Sequence, residues 1–190
     1  MSKGVQVGLK DLHYALLTTD DDTGTTYSTP EKIAGAITAK VSPTVNTSTL
    51  YADDGPDEVA TALGEITVEL NVKDLPLEVQ AALLGHTLGD DGVLIKNAGD
   101  VAPYVAVGFK SVKSNGRYRY VWLYKGKFKP PEQDYKTKED TPEFQTPTIS
   151  GTFVKRQSDG DWQAIGDEDE TGFTAGATWF DTVYEKPTAG

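Results

Sequence analysis

Glu65-Ile66-Thr67-Val68-Glu69-Leu70-Asn71-Val72 alternates polar and apolar side chains without a break. A period of two places Ile66, Val68, Leu70 and Val72 on one face of an extended segment and Glu65, Thr67, Glu69 and Asn71 on the other. A helix does not sort its side chains this way, so this stretch is a strand with one buried face and one wet, acidic face. Such half-buried strands belong to antiparallel sheets, because parallel sheets are covered on both faces.

The neighbouring sequence continues the theme. Val5–Leu9, Leu12–Thr18, Ile33–Val41 and Thr44–Tyr51 read as extended, with a solvated turn at Asp20-Asp21-Asp22-Thr23-Gly24 and a loop over Ala52–Glu58. Further on, Tyr104–Val112 and Tyr118–Phe128 flank Ser114-Asn115-Gly116-Arg117, and Asn-Gly is a strong hairpin signal. In the second of these strands Tyr118, Tyr120, Trp122 and Tyr124 fall on one face. Arg117, Arg119, Val121, Leu123, Lys125 and Lys127 fall on the other. A polar, proline-bearing loop is expected over Pro130–Glu143, then strands at Pro147–Lys155 and Trp162–Ile165. After these comes a tail in which Trp179, Phe180, Val183 and Tyr184 are available to dock.

One helix is expected, from Pro76 to Leu84. Asp74 suits its N-cap, Pro76 its first turn and Gly85 its C-terminal stop, while Leu77, Ala81 and Leu84 form an apolar stripe. At about three turns it packs on a sheet as an accessory. The expected fold is therefore mainly β: an antiparallel β-sandwich or flattened barrel flanked by one α-helix, with extended loops or arms. The length of 190 residues fits one domain spanning 1–190.

Composition removes whole classes of function. Eighteen Lys and Arg against 29 Asp and Glu give 18 − 29 = −11, which disfavours a basic groove for nucleic-acid phosphates. The absence of cysteine excludes disulfides and thiol chemistry, and His13 and His86 alone cannot build a histidine-rich metal centre. Apolar runs stop at five residues, as in Tyr120-Val121-Trp122-Leu123-Tyr124, so no membrane insertion is expected. None of the phosphate-loop, dinucleotide, zinc-protease or nucleophile-elbow strings occurs, and the acidic clusters lack calcium-loop spacing, so neither catalytic residues nor cofactors are assigned.

Charge is segregated along the chain. Lys110, Lys113, Arg117, Arg119, Lys125, Lys127 and Lys129 form a run without an acid. Asp159, Asp161, Asp167, Glu168, Asp169 and Glu170 form a run without a base. Placed on opposite edges of a subunit, such runs would pair between copies, with Arg117, Arg119, Lys125 and Lys127 of one copy meeting Asp167, Glu168, Asp169 and Glu170 of the next. Burial of Trp179, Phe180 and Tyr184 between copies would supply the cohesion of that contact.

Several strings resemble the major tail protein family of long-tailed, non-contractile phages and prophages. They are Leu50-Tyr51-Ala52-Asp53-Asp54-Gly55, Asp74-Leu75-Pro76-Leu77-Glu78-Val79-Gln80, Leu83-Leu84-Gly85-His86, Pro103–Phe109, Tyr118–Phe128 and Glu143-Phe144-Gln145-Thr146-Pro147-Thr148, in the family's order. The resemblance implies a tail-tube subunit that forms hexameric rings, stacked around a lumen through which the genome passes at ejection. It implies assembly in the host cytoplasm into a virion tail. The implied partners are further copies of the chain, a tape measure protein inside the tube, tip and terminator proteins at its ends, and double-stranded DNA in passage. No C-terminal immunoglobulin-like domain is expected. On this reading Glu65, Thr67 and Glu69 face the lumen. Segment 40–63, with Thr47, Leu50, Tyr51, Asp53 and Asp54, is an inter-ring arm too polar to order alone, and 167–190 is a C-terminal arm. A carbohydrate- or cell-surface-binding β-sandwich and a hydrolase built on acidic pairs are the competing readings.

Overall fold

The alternating stretch lies in the second half of the longest strand of a single curled sheet. The computed structural model describes residues 3–52, 55–133, 137 and 146–187. Its strands are β1 (Gln6–Asp21), β2 (Gly24–Tyr27), β3 (Glu31–Ile33), β4 (Ala36–Ala52), β5 (Gly55–Val72), β6 (Thr87–Leu88), β7 (Leu94–Ile95), β8 (Val105–Lys113), β9 (Tyr118–Phe128), β10 (Thr148–Val154) and β11 (Gln163–Asp167). One helix, α1 (Leu77–Leu84), precedes β6. The main sheet runs β2-β1-β8-β9-β10-β5-β4, with β3 beside β1 and β11 beside β9, and every pairing is antiparallel. This is the mainly β, one-helix architecture expected, realised as one sheet curled into a half-barrel.

Both faces of the sheet are used. Ile66, Val68, Leu70 and Val72 of β5 join Val105, Val107, Phe109, Val121, Leu123, Ile149 and Phe153 in one core, closed by Leu75, Val79, Leu83 and Leu84 around α1. On the opposite face Ala15, Ala106, Tyr120, Trp122 and Tyr124 pack against Trp179 and Val183 in a second core. β8 supplies alternate residues to each, as the pleat dictates.

The structure corrects several local expectations. The two N-terminal strands are one, β1, carrying a bulge where the register on β8 shifts between Lys10 and His13. Asp11 takes a left-handed φ of 51° there, a region that Asp tolerates better than most side chains. Only Asp22 and Thr23 form the turn expected over Asp20–Gly24. The helix N-cap is Pro76, not Asp74, whose carboxylate instead accepts from the Leu75 amide; Gly85 ends the helix at φ 73°, as expected. The strand expected over Ile33–Val41 divides into β3 and the start of β4. Glu58 and its neighbours, expected in a loop, belong to β5.

A second bulge lies in β9. Val105 faces Gly126 but Val107 faces Leu123, which inserts one extra residue into β9. Phe128 thereby joins the helix-side core while Tyr124 stays in the other one. Lys127, directly opposite Thr152, consequently turns away from the face that holds Val121 and Leu123. An alternation read straight through β9 misses this switch.

Candidate assembly surfaces

β4 and β5 continue past the sheet as a two-stranded ribbon. β5 pairs with β10 only over Ile66–Asn71, whereas β4 and β5 pair from Ala36↔Val72 to Ala52↔Gly55. Beyond Val45↔Leu63 neither strand has a third neighbour among the described residues. At about 3.3 Å per residue, Val45–Ala52 reaches about 25 Å from the body. Val45, Leu50, Val59 and Leu63 are all exposed, and so is Thr47. Segment 40–63, expected as an arm, is built as a paired ribbon in which Val45–Ala52 of β4 runs antiparallel to 55–63 of β5. Tyr51 is placed by its backbone pairing with Pro56; Asp53 and Asp54 lie outside the described residues.

The outer half of the sheet carries a bare polar face opposite the helix-side core. Cross-strand rows run Thr38–Asn71–Thr148, Lys40–Glu69–Ser150 and Ser42–Thr67–Thr152. Lys127 extends the last row. Glu65 and Thr67 are exposed and Glu69 is half-buried. Lys40 Nζ lies 3.3 Å from Glu69 Oε2, so the face is hydroxyl-rich and partly neutralised, not a plain acidic wall.

The segregated charges meet inside one chain. β11 lies beside β9, which brings Asp167 against Arg119 and Lys113. Lys113 Nζ donates to both carboxylate oxygens of Asp167, at 2.8 and 2.9 Å, and also pairs with Asp169. Arg117 Nη1 donates to the Glu168 carbonyl at 2.7 Å and lies 3.3 Å from Asp169. The Glu168 carboxylate accepts from the Tyr118 amide and the Tyr120 hydroxyl. Glu170 pairs with Lys3, and the Gly4 amide donates to Asp169. Lys125 pairs with Asp20, while Lys127 sits 4.4 Å from the centre of the Tyr104 ring. The two runs therefore do not occupy opposite edges. Antiparallel pairing cancels a separation of about fifty residues along the chain.

These contacts shift the acids. Burial raises Asp167, but Lys113, the Asp169 amide and Arg119 outweigh it and hold the carboxyl at about 2. Lys113 similarly lowers Asp169 to about 2. At the β1 bulge, Lys110 and Lys32 lower Asp11 to about 2. Burial and the Glu168 carboxylate push the Tyr120 phenol up to about 12.

Residues 168–187 form a strap over the second core. Trp179 is 3% exposed and stacks on Tyr184 at 4.8 Å, its carbonyl accepting from the Trp122 indole at 3.0 Å. Phe180 stacks on His13 at 4.3 Å. Arg156, itself 1% exposed, ties down the strap's end through Glu185 and holds Asp159 of the β10–β11 turn. The docking expected of Trp179, Phe180, Val183 and Tyr184 is thus spent within the chain, and the aromatic row of β9 is core. This corrects the expectation that Trp179, Phe180 and Tyr184 are buried between copies.

The histidines are structural in their surroundings. Burial lowers the pKa of His13. His86 Nδ1 lies 2.6 Å from Asp100 Oδ2, joining the helix end to the segment before β8. Among the described residues no group of acids and histidines is arranged to hold a metal ion, and no helix is long and apolar enough to cross a membrane.

No curated protein matches the sequence. A family model described as phage tail tube protein matches residues 2–186, almost the entire chain. The one-sheet body, its single helix and the projecting ribbon are thus the parts of a structural subunit, and the chain belongs to the phage tail tube protein family.

Proposed function

We propose that this chain is the major subunit of a long, non-contractile tail tube, forming hexameric rings that stack around a lumen through which duplex DNA passes. The β4–β5 ribbon carries the proposal. A two-stranded ribbon is marginal in water, and one that projects with apolar side chains exposed requires another surface to cover it. We assign it to contact between rings, with Thr47, Leu50 and Tyr51 on the contacting segment.

The bare polar face, with Glu65, Thr67 and Glu69, is assigned to the lumen. A lining rich in cations would hold DNA by releasing its counterions, whereas this face carries hydroxyls and the Lys40–Glu69 pair. Such a surface lets a polyanion slide. Before ejection the same lumen holds a tape measure protein, and tip and terminator proteins close the ends. Assembly takes place in the host cytoplasm and ends in the virion tail. Because the charges of β9 and β11 pair within the chain, they serve to hold the subunit rigid.

Electron microscopy of the purified protein over a concentration series tests the proposal. Rings or tubes are expected. Deletion of Ser48–Asp57 should leave a folded monomer that does not polymerise; tubes of normal length from that deletion would exclude the ribbon from stacking.

A further inference from the structure

We infer that the ribbon's uncharged stripe seats on the excursion between α1 and β8 of a second copy, an inference that rests on the tube-subunit reading above and names the surface where the ribbon lands. Directly opposed residues of an antiparallel pair share a face. Val45↔Leu63, Thr47↔Thr61 and Thr49↔Val59 therefore form one continuous stripe without a charge. Val45, Val59 and Leu63 on it are 57%, 62% and 41% exposed, so the chain's own body does not cover it.

A matching surface exists elsewhere on the molecule. Val93, Ile95 and Val101 are exposed within one short excursion, and Leu77 is exposed on α1 just before it. Elsewhere on the body, Val5 and Val7 are exposed at the N-terminal end of β1, Ile37 on β4 and Ile165 on β11. The excursion is firmly built. β6 and β7 pair through Thr87↔Ile95, and the Gly89 amide donates to the Val93 carbonyl. His86 binds Asp100, and Gly85 lies so close to the Val101 backbone that a Cβ would collide with its carbonyl. Apolar residues held in place by these bonds and left exposed among the described residues form a platform. Its charges are Asp90, Asp91 and Asp100 against Lys96, a net negative rim in which Asp100 is tied to His86. Such a rim tolerates a stripe that has no charge. The remaining sheet face is either under the strap or hydroxyl-rich.

The chain has no cysteine, so single thiols report cleanly. Val59→Cys protein and Ile95→Cys protein, mixed under assembling conditions and treated with a short bis-maleimide, should give a covalent dimer. Val59→Cys mixed with Ile165→Cys should not. Ile95→Asp should keep the parent melting temperature, because the side chain is exposed, and should lose polymerisation. If tubes form but the Val59 thiol links to position 165 and not to positions 93, 95 or 101, the seat is wrong and the tube reading stands. Full polymerisation of Ile95→Asp has the same meaning. A parent protein that stays monomeric at every concentration overturns both.

Discussion

The indole of Trp122 lies over Gly108 on the adjacent strand, so closely that a Cβ at position 108 would sit 2.7 Å from three of its ring carbons. Trp122 is fully buried and cannot move aside without disturbing the second core. Gly108→Ala should therefore destabilise the protein by about 1–3 kcal/mol, the usual cost of overpacking. Adding Trp122→Leu should recover part of that loss, which urea unfolding of the four members of a double-mutant cycle would read directly. Additive losses would show that the close approach is not the cause.

Acid should weaken the subunit over a defined window. Asp11, Asp20, Asp167 and Asp169 are all lowered to about 2 in the folded chain. A lowered carboxyl stabilises the fold at every pH above its unfolded value and loses that contribution as pH falls through the folded one. Melting temperature should thus hold steady down to about pH 4 and fall steeply toward about pH 2. In Lys113→Met, Asp167 and Asp169 lose their shared partner, so the gap in melting temperature between parent and variant should be full above about pH 4 and close toward about pH 2. Thermal melts followed by circular dichroism across this range test both statements.

Where the signal is local, the sequence shows the fold directly. β5 is legible from Ile66, Val68, Leu70 and Val72, and the β8–β9 hairpin from Asn115-Gly116, because each depends on a few adjacent residues. The ribbon is legible only in part, because Thr44–Tyr51 reads as extended but the start of β5 reads as a loop. Thr44–Tyr51 and 55–64 carry little apolar periodicity, and only their pairing with each other orders them. The bulges at Asp11 and after Leu123 leave no compositional mark, so the turn of Lys127 to the polar face is invisible in a simple alternation. The charge runs mislead for a related reason. Lys113 and Asp167 are distant in sequence and adjacent in space, a fact that follows from β11 lying beside β9. Sequence proximity to Glu170 gave no hint that Lys3 would close the same cluster.

The strap should be a stability element of the monomer. Trp179→Ala removes a buried ring stacked on Tyr184 and should cost about 3–5 kcal/mol in urea unfolding. Limited proteolysis should then cut within 171–187 before it cuts elsewhere. Ile165→Ala, at an exposed position, should change stability by less than about 0.5 kcal/mol.

Charge on the bare face should control what the tube holds. Glu65→Lys together with Thr67→Lys alters two exposed positions and should leave folding and polymerisation intact. Tubes of this variant should retain short duplex DNA, with affinity falling steeply as salt rises, while parent tubes do not. Fluorescence anisotropy of labelled duplex against assembled protein distinguishes the two. Equal retention by parent and variant would place these residues outside the lumen.

The strand order carries a kinetic consequence. β4 and β5 are consecutive and can zip together as soon as both are made, but β1 pairs with β8, which begins at Val105. The edge of β1 that β8 will occupy therefore stays unpaired until more than half the chain has left the ribosome. Closing so long a loop is slow, on the order of milliseconds to seconds for sheet proteins of this kind. During that interval the apolar residues Leu12, Tyr14 and Ala15 stand beside an open edge, and nascent chains emerging side by side have a route into each other's sheets. A subunit made in many copies at once is most exposed to misassembly before its own first strand has been captured.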